Sequence, residues 1–246
     1  MDAREYEKMA AVEDRTWWYR GLHHNLVRAI ERFLPASASR LVDAGCGTGG
    51  LLRVLGSNRV GRQLFGLDAW HPACAAAANR SRRPVVQGVI DRLPFADGVL
   101  DCLVSADVLC HAGVDPAPAL RELRRCLRSG GVLVLNLPAY QWLFSYHDER
   151  VNNVRRFNRT EVMRLLEEAG FAPIYTSYWN TFLFPVMALR RLLPAPAGRE
   201  SDVHLYPAPV EALFGTLLAC EGALLRTGLR LPFGGSLLAV ARRRDG

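Results

Sequence analysis

The run Leu41-Val42-Asp43-Ala44-Gly45-Cys46-Gly47-Thr48-Gly49-Gly50 reads as a buried strand that passes straight into a glycine-rich turn and then a helix. So abrupt a turn needs backbone conformations that side chains obstruct, and glycines at 45, 47 and 49 supply them while letting the chain come close to a ligand. The helix expected over 48–56 starts with free N–H groups facing the same point. Asp43 stands at the strand's end. The pattern is that of a nucleotide-binding turn, which belongs to open α/β sheets.

Gly45, Gly47 and Gly50 satisfy the spacing G-x-G-x-x-G, and Asp68 lies where a ribose-binding acid is expected, roughly 20 residues on. That fingerprint alone does not separate dinucleotide enzymes from other nucleotide users. The blocks that follow do: Leu93-Pro94-Phe95, Asp97, Leu100-Asp101, Leu120-Arg121-Glu122-Leu123 and Leu127-Arg128-Ser129-Gly130-Gly131. In these residues the chain resembles the class I S-adenosylmethionine-dependent methyltransferases, closely over 38–178 and more loosely over the last ten residues.

Apolar runs and amphipathic stretches alternate, which predicts strands near 40–44, 63–67, 84–87, 100–104 and 131–136 and helices at 48–56, 71–79 and 116–128. This is a parallel α/β pattern. The resemblance implies a seven-stranded, mostly parallel Rossmann-like sheet with an antiparallel last strand, 172–177 being the sixth strand and 236–241 the seventh. About 58 residues separate those two, too many for a structureless loop. They read as helices at 182–193 and 209–227 joined by a Pro/Gly-rich link at 194–207. Val210, Leu213, Phe214, Leu217, Leu218, Leu224 and Leu225 give the second helix an apolar face, and Glu221 falls on it. Such a face suits a packed layer with Glu221 paired to an arginine, or a lid, a homodimer surface or a dock for a greasy substrate. The expected organisation is a single methyltransferase domain over 1–246, with a helical cap at 1–37, a core at 38–178 and 236–246, and a helical insertion at 179–235.

The formal charge of +7 comes from 31 basic and 24 acidic residues, but the arginines are scattered and form no stripe for nucleic acid. The excess of Arg, Ala, Leu, Gly and Pro is that of a GC-rich bacterial coding sequence. Six cysteines without a C-x-x-C pair point to reduced thiols and no structural metal, hence a cytoplasmic setting. The first residues lack the apolar core of a signal peptide, and the long apolar stretch at 205–225 is interrupted by Glu211 and Glu221, so stable membrane insertion is not expected.

The resemblance assigns the cofactor, S-adenosylmethionine, to Asp43 and the Gly45-Cys46-Gly47 backbone at its methionine end, with Gly49, Ala69 and Ser105 nearby. It assigns the ribose hydroxyls to Asp68 and the adenine edge to Val89 and Ile90, where the acidic residue common in the family is missing. Ligands of open α/β sheets collect at the strands' carboxyl ends, so the acceptor is expected near Asp107 and in the aromatic segment containing Tyr140 and Trp142. Trp17, Trp18 and Tyr19 read as a wall that closes over it or plugs a groove, and Arg156 as an anchor for an anionic group or for its own loop. His147, with Asp148 or Glu149 beside it, is the first candidate for a general base, and His111 is the second.

The expected function is therefore methyl transfer to an oxygen or nitrogen of a small or lipid-like molecule. The alternatives are a cofactor-binding protein, a non-methylating descendant of the fold and, less favoured for want of a basic stripe or a base-flipping tetrad, a nucleic-acid methyltransferase.

Overall fold

Alternate residues of the central strands face opposite ways, and both faces are apolar. Val42, Leu103, Leu133 and Leu135 belong to one hydrophobic cluster, Leu41, Val104, Val132 and Val134 to the other. Strands built this way must be covered by helices on both sides. The computed structural model describes residues 3–57, 63–192 and 203–245. Its strands are β1 (Arg40–Ala44), β2 (Gln63–Asp68), β3 (Val85–Gln87), β4 (Leu100–Ala106), β5 (Leu127–Pro138), β6 (Phe171–Trp179) and β7 (Ser236–Arg243). They form one sheet in the order β3-β2-β1-β4-β5-β7-β6. The first five are parallel, and β7 lies antiparallel between β5 and β6.

The helices are α1 (Ala3–Val12), α2 (Trp17–Phe33), α3 (Gly50–Ser57), α4 (His71–Ser81), α5 (Pro116–Cys126), α6 (Tyr146–Arg150), α7 (Arg159–Glu168), α8 (Phe184–Leu192) and α9 (Ala208–Arg226). Helix α5 shows how local sequence sets these limits. Asp115 caps it by accepting from the Ala117 N–H at 3.1 Å, Pro116 occupies the first turn, and Leu120 and Leu123 carry its buried face. The helix ends at Cys126, two residues before the expected 128. Leu127 instead pairs with Leu100, Arg128 Nε donates to Asp101 Oδ1 at 2.5 Å, and the register slips across Gly130 and Gly131 before Cys102 meets Val132.

Helix α2 starts at Trp17, so the aromatic trio lies in its first turn. The link expected at 194–207 lies largely outside the described residues. Helices α8 and α9 stand between β6 and β7, and α9 packs along α2, where Leu218 Cδ1 would lie 2.5 Å from a Cβ placed on Gly21. Among the described residues α9 is the one helix long and apolar enough to cross a membrane by length and composition.

Glu221 is not paired to an arginine. Buried under α9, it accepts from the backbone N–H groups of Asn180, Thr181 and Phe182 at 2.5, 2.6 and 3.2 Å. Three oriented amides satisfy a buried carboxylate as a cation would, and burial still holds its pKa above the ordinary range.

Gly49 shows what the turn after β1 demands. Its φ is +84°, and a Cβ there would lie 2.7 Å from the backbone Cα of Ala77 in α4. Gly49→Ala is therefore expected to lower stability by about 1–3 kcal/mol, read as a shift of the urea unfolding midpoint at constant slope.

Candidate active site

The carboxyl ends of the parallel strands and of β6 open onto a cavity of about 690 Å3, within the range of small-molecule sites. On one side the turn after β1 is tied to β2, where the N–H groups of Gly45 and Cys46 donate to Leu67 O at 2.7 and 2.9 Å. Asp68, ending β2, accepts from the Gly47 N–H at 2.9 Å, the Trp70 N–H at 3.0 Å and the Tyr6 hydroxyl at 3.2 Å. Asp43 is buried at the floor, and burial, reinforced by Glu13 and Asp68, pushes its pKa up to about 8. Ala69, Val89 and Ile90 line the same end.

Beside this end the cavity is walled by Trp17, Trp18 and Tyr19 from α2. Trp18 stacks on Trp179 with ring centroids 6.0 Å apart. Asp107, just past β4, has φ +54°, and both its oxygens accept from Asn136 Nδ2, at 3.0 and 3.1 Å. The Trp179 indole N–H in turn donates to Asn136 Oδ1 at 2.7 Å, so the carboxylate is aimed by a buried chain. Burial raises Asp107 to about 7 against the opposing pull of Asn136 and Arg156. His111 and His147 both line the cavity. Burial holds His111 below its ordinary pKa, and its Nδ1 has no hydrogen-bond partner among the described residues.

Not every residue singled out in the sequence reaches the cavity. Gly49 packs on α4 instead, and Ser105 is buried with its hydroxyl donating to Ala44 O at 2.9 Å, which ties β4 to β1. Tyr140 lies off the cavity with φ +59°, stacked between Tyr178 at 5.0 Å and Trp142 at 6.0 Å, and Trp142 is 54% exposed. Arg156 does border the cavity, but its Nε is held by Asp148 Oδ1 and Oδ2 at 2.9 and 3.0 Å and its Nη1 by Ala139 O at 3.2 Å. Asp148 also accepts from Asn153 Nδ2 at 3.2 Å and the Ser145 N–H at 3.0 Å. This pair fixes the loop after β5.

Sequence reasoning missed Glu13. It is buried in the cavity wall, accepts from Thr48 Oγ1 at 2.7 Å, pairs with Arg80 and lies 3.6 Å from His23 Nε2. Burial pushes its pKa up, and the contacts to His23, Thr48 and Arg80 outweigh that and leave it below the ordinary range. Nothing in Val12-Glu13-Asp14 marks this residue, since its partners lie on α2, in the turn before α3 and on α4.

The sheet order and a cavity at its carboxyl edge define a Rossmann-like nucleotide-cofactor protein. The family model described as a methyltransferase domain matches residues 42–135. An uncharacterized methyltransferase of Mycobacterium bovis is 32% identical over 229 residues, covering 83% of this chain and 84% of its own length. A probable S-adenosylmethionine-dependent methyltransferase of Mycobacterium tuberculosis is 28% identical over 222 residues, covering 88% and 76%. Among solved structures, the chain bound to the Haloferax volcanii Trm112 methyltransferase activator superposes with a TM-score of 0.65 at 22% identity over 98% of each chain. The chain belongs to the class I S-adenosylmethionine-dependent methyltransferases, and S-adenosylmethionine is its cofactor.

The Asp148–Arg156 pair carries its own test. Arg156→Met leaves a buried carboxylate without its cation and is expected to cost about 3–5 kcal/mol in urea unfolding, whereas Arg156→Met combined with Asp148→Leu should recover most of the loss.

Proposed function

We propose that this chain transfers the methyl group of S-adenosylmethionine to an oxygen or nitrogen of a small or lipid-like molecule held in the 690 Å3 cavity, with Asp107 as the proton acceptor. The observation that carries the reading is Asp107 itself: a carboxylate in the left-handed region at the end of β4, held by Asn136 and raised by burial to about 7. A base is most effective when it titrates near the working pH and is oriented by a second group.

The residues present suit the cofactor. A Cβ on Gly45 would lie 2.1 Å from Val108 Cγ2, and one on Gly47 2.8 Å from Met9 Cε, so bare backbone is required at the place where the ligand must come close. When bound, S-adenosylmethionine supplies a sulfonium methyl group open to direct displacement. Asp68 would hold the ribose hydroxyls, with Tyr6 yielding or sharing its hydrogen bond. Asp43 would face the ammonium end, where a cation favours its charged form. Val89 and Ile90 would edge the adenine. Trp17, Trp18 and Tyr19 would shield the reacting centre from water and flank the acceptor.

Asp107 stands ahead of His147 in this reading because its orienting chain through Asn136 to Trp179 is buried and complete. His111, neutral through burial and with Nδ1 unpaired, is the second group able to take or relay a proton. Arg156 contributes charge near Asp107 while serving its loop. The scattered arginines favour a small acceptor over nucleic acid. The cap at 1–37 and the insertion at 179–235 belong, in this reading, to the same methyltransferase domain as the core.

Two measurements test it. Asp68→Asn should weaken S-adenosylmethionine binding by about 1.5–3 kcal/mol in calorimetry, the range for hydrogen bonds to a charged group, and unchanged affinity would remove Asp68 from the cofactor site. Turnover of the parent should rise as Asp107 loses its proton between roughly pH 6 and 8 and then level off, following the raised carboxyl pKa of about 7. Asp107→Asn should flatten that profile and lower kcat about a hundredfold or more while leaving cofactor affinity nearly intact. A variant with the parent's rate and profile would pass the role to His147 or His111.

A further inference from the structure

Among the described residues, Thr16 Oγ1, His111 Nδ1, Arg159 Nε and Asn180 Oδ1 are buried side-chain atoms without a hydrogen-bond partner. Thr16, His111 and Asn180 line the cavity. Buried polar atoms left unpaired are costly, and where they face a ligand cavity they mark places that a ligand completes.

Asn180 is the most constrained of these. It follows β6 directly, at the end of the sheet where Trp179 pairs with Ser236 and Pro138 pairs with Ser236 from the other side, so it sits at the same edge as Asp107. It is 4% exposed and has φ +60°, a conformation that asparagine tolerates better than most residues. Its N–H is held by Glu221, which also grips the next two amides. The segment before β7 presses on it from behind, where a Cβ on Gly234 would meet Trp179 O at 2.2 Å and one on Gly235 would meet Asn180 Nδ2 at 3.4 Å. The residue is thus clamped on its backbone and lines the cavity, and its buried carboxamide oxygen has no hydrogen-bond partner among the described residues. Apolar Leu183, Val186 and Met187 continue that wall beyond it.

We propose that Asn180 recognises the methyl acceptor: its Oδ1 accepts a hydrogen bond from a hydroxyl or N–H of a molecule whose remaining body is apolar, and Glu221 acts as the positioning residue that fixes it. This rests on the reading of the cavity as a methyl-transfer site. It assigns the α8–α9 insertion a part in choosing the substrate, because the carboxylate that sets Asn180 comes from α9.

The test uses the full chain loaded with S-adenosylhomocysteine and a matched pair of probes, 1-octanol and 1-methoxyoctane, which differ in the hydroxyl donor. Binding is titrated by saturation-transfer NMR. The parent should prefer the alcohol about tenfold, the scale of one hydrogen bond at a closed site. Asn180→Gly, which accepts the positive φ, should lose the preference while binding S-adenosylhomocysteine as the parent does. Asn180→Asp keeps an acceptor oxygen in place and should retain the preference, and Glu221→Gln should reduce it severalfold without loss of S-adenosylhomocysteine. Equal binding of the two probes by the parent, or the parent's preference persisting in Asn180→Gly, would overturn the assignment. Failure of the parent to bind S-adenosylhomocysteine would instead overturn the cofactor reading on which it rests.

Discussion

One carboxylate sets the geometry on which the glycine-turn side of the cavity depends. Asp68 spends one oxygen on the Gly47 N–H and the other on the Trp70 N–H, so the loops after β1 and β2 are locked to each other by charge-assisted hydrogen bonds. The glycine turn therefore keeps its shape through a residue about twenty positions away rather than through its own sequence alone. The Tyr6 hydroxyl adds a third contact and brings α1 over the same place, with its ring 4.4 Å from that of Trp70. Glu13 repeats the device at the start of α3, reaching Thr48 and Arg80 from the far end of the same N-terminal segment.

The geometry of the glycine turn and its partner acid was legible in the sequence because its requirements are local. A turn that must bend sharply and stay bare needs glycine at fixed spacing, and an acid ending the next strand lands beside it by the register of a parallel pair, Asp43 against Gly66 and Ala44 against Leu67. The opposite side of the cavity was legible only in outline. The segment after β5 reads as a pocket wall, yet Tyr140 takes a positive φ and stacks on Tyr178, which carries Trp142 away from the cavity with it. Arg156 could be read two ways because only the fold reveals the buried Asp148 that meets it. Glu221 was conspicuous as a charge on an apolar face, but its partners are backbone amides, which no side-chain pattern encodes.

The polar groups around Asp107 and Asn180 follow a common logic. Asp107 is aimed by Asn136, Asn136 by the Trp179 indole, and Asn180 by Glu221, so each group facing the cavity is held by another that lies out of contact with it. Fixed dipoles of this kind need not reorganise as charge develops, which is the principal way a protein favours a reaction that requires alignment more than chemistry.

The position of β7 imposes an order on how this site comes into being. It fills the gap between β5 and β6, although it follows both in the chain. While synthesis proceeds, β6 has no neighbour in the sheet, and its backbone edge stays unpaired until residues 236–243 have emerged. Trp179 lies on β6 and reaches Asn136 on β5 across that gap, so the brace behind Asp107 cannot close earlier either. The glycine turn, made of β1, β2 and the chain between them, is complete far sooner. During synthesis the glycine-turn side of the cavity therefore takes shape early, while the side that carries Asp107 must wait for the last strand.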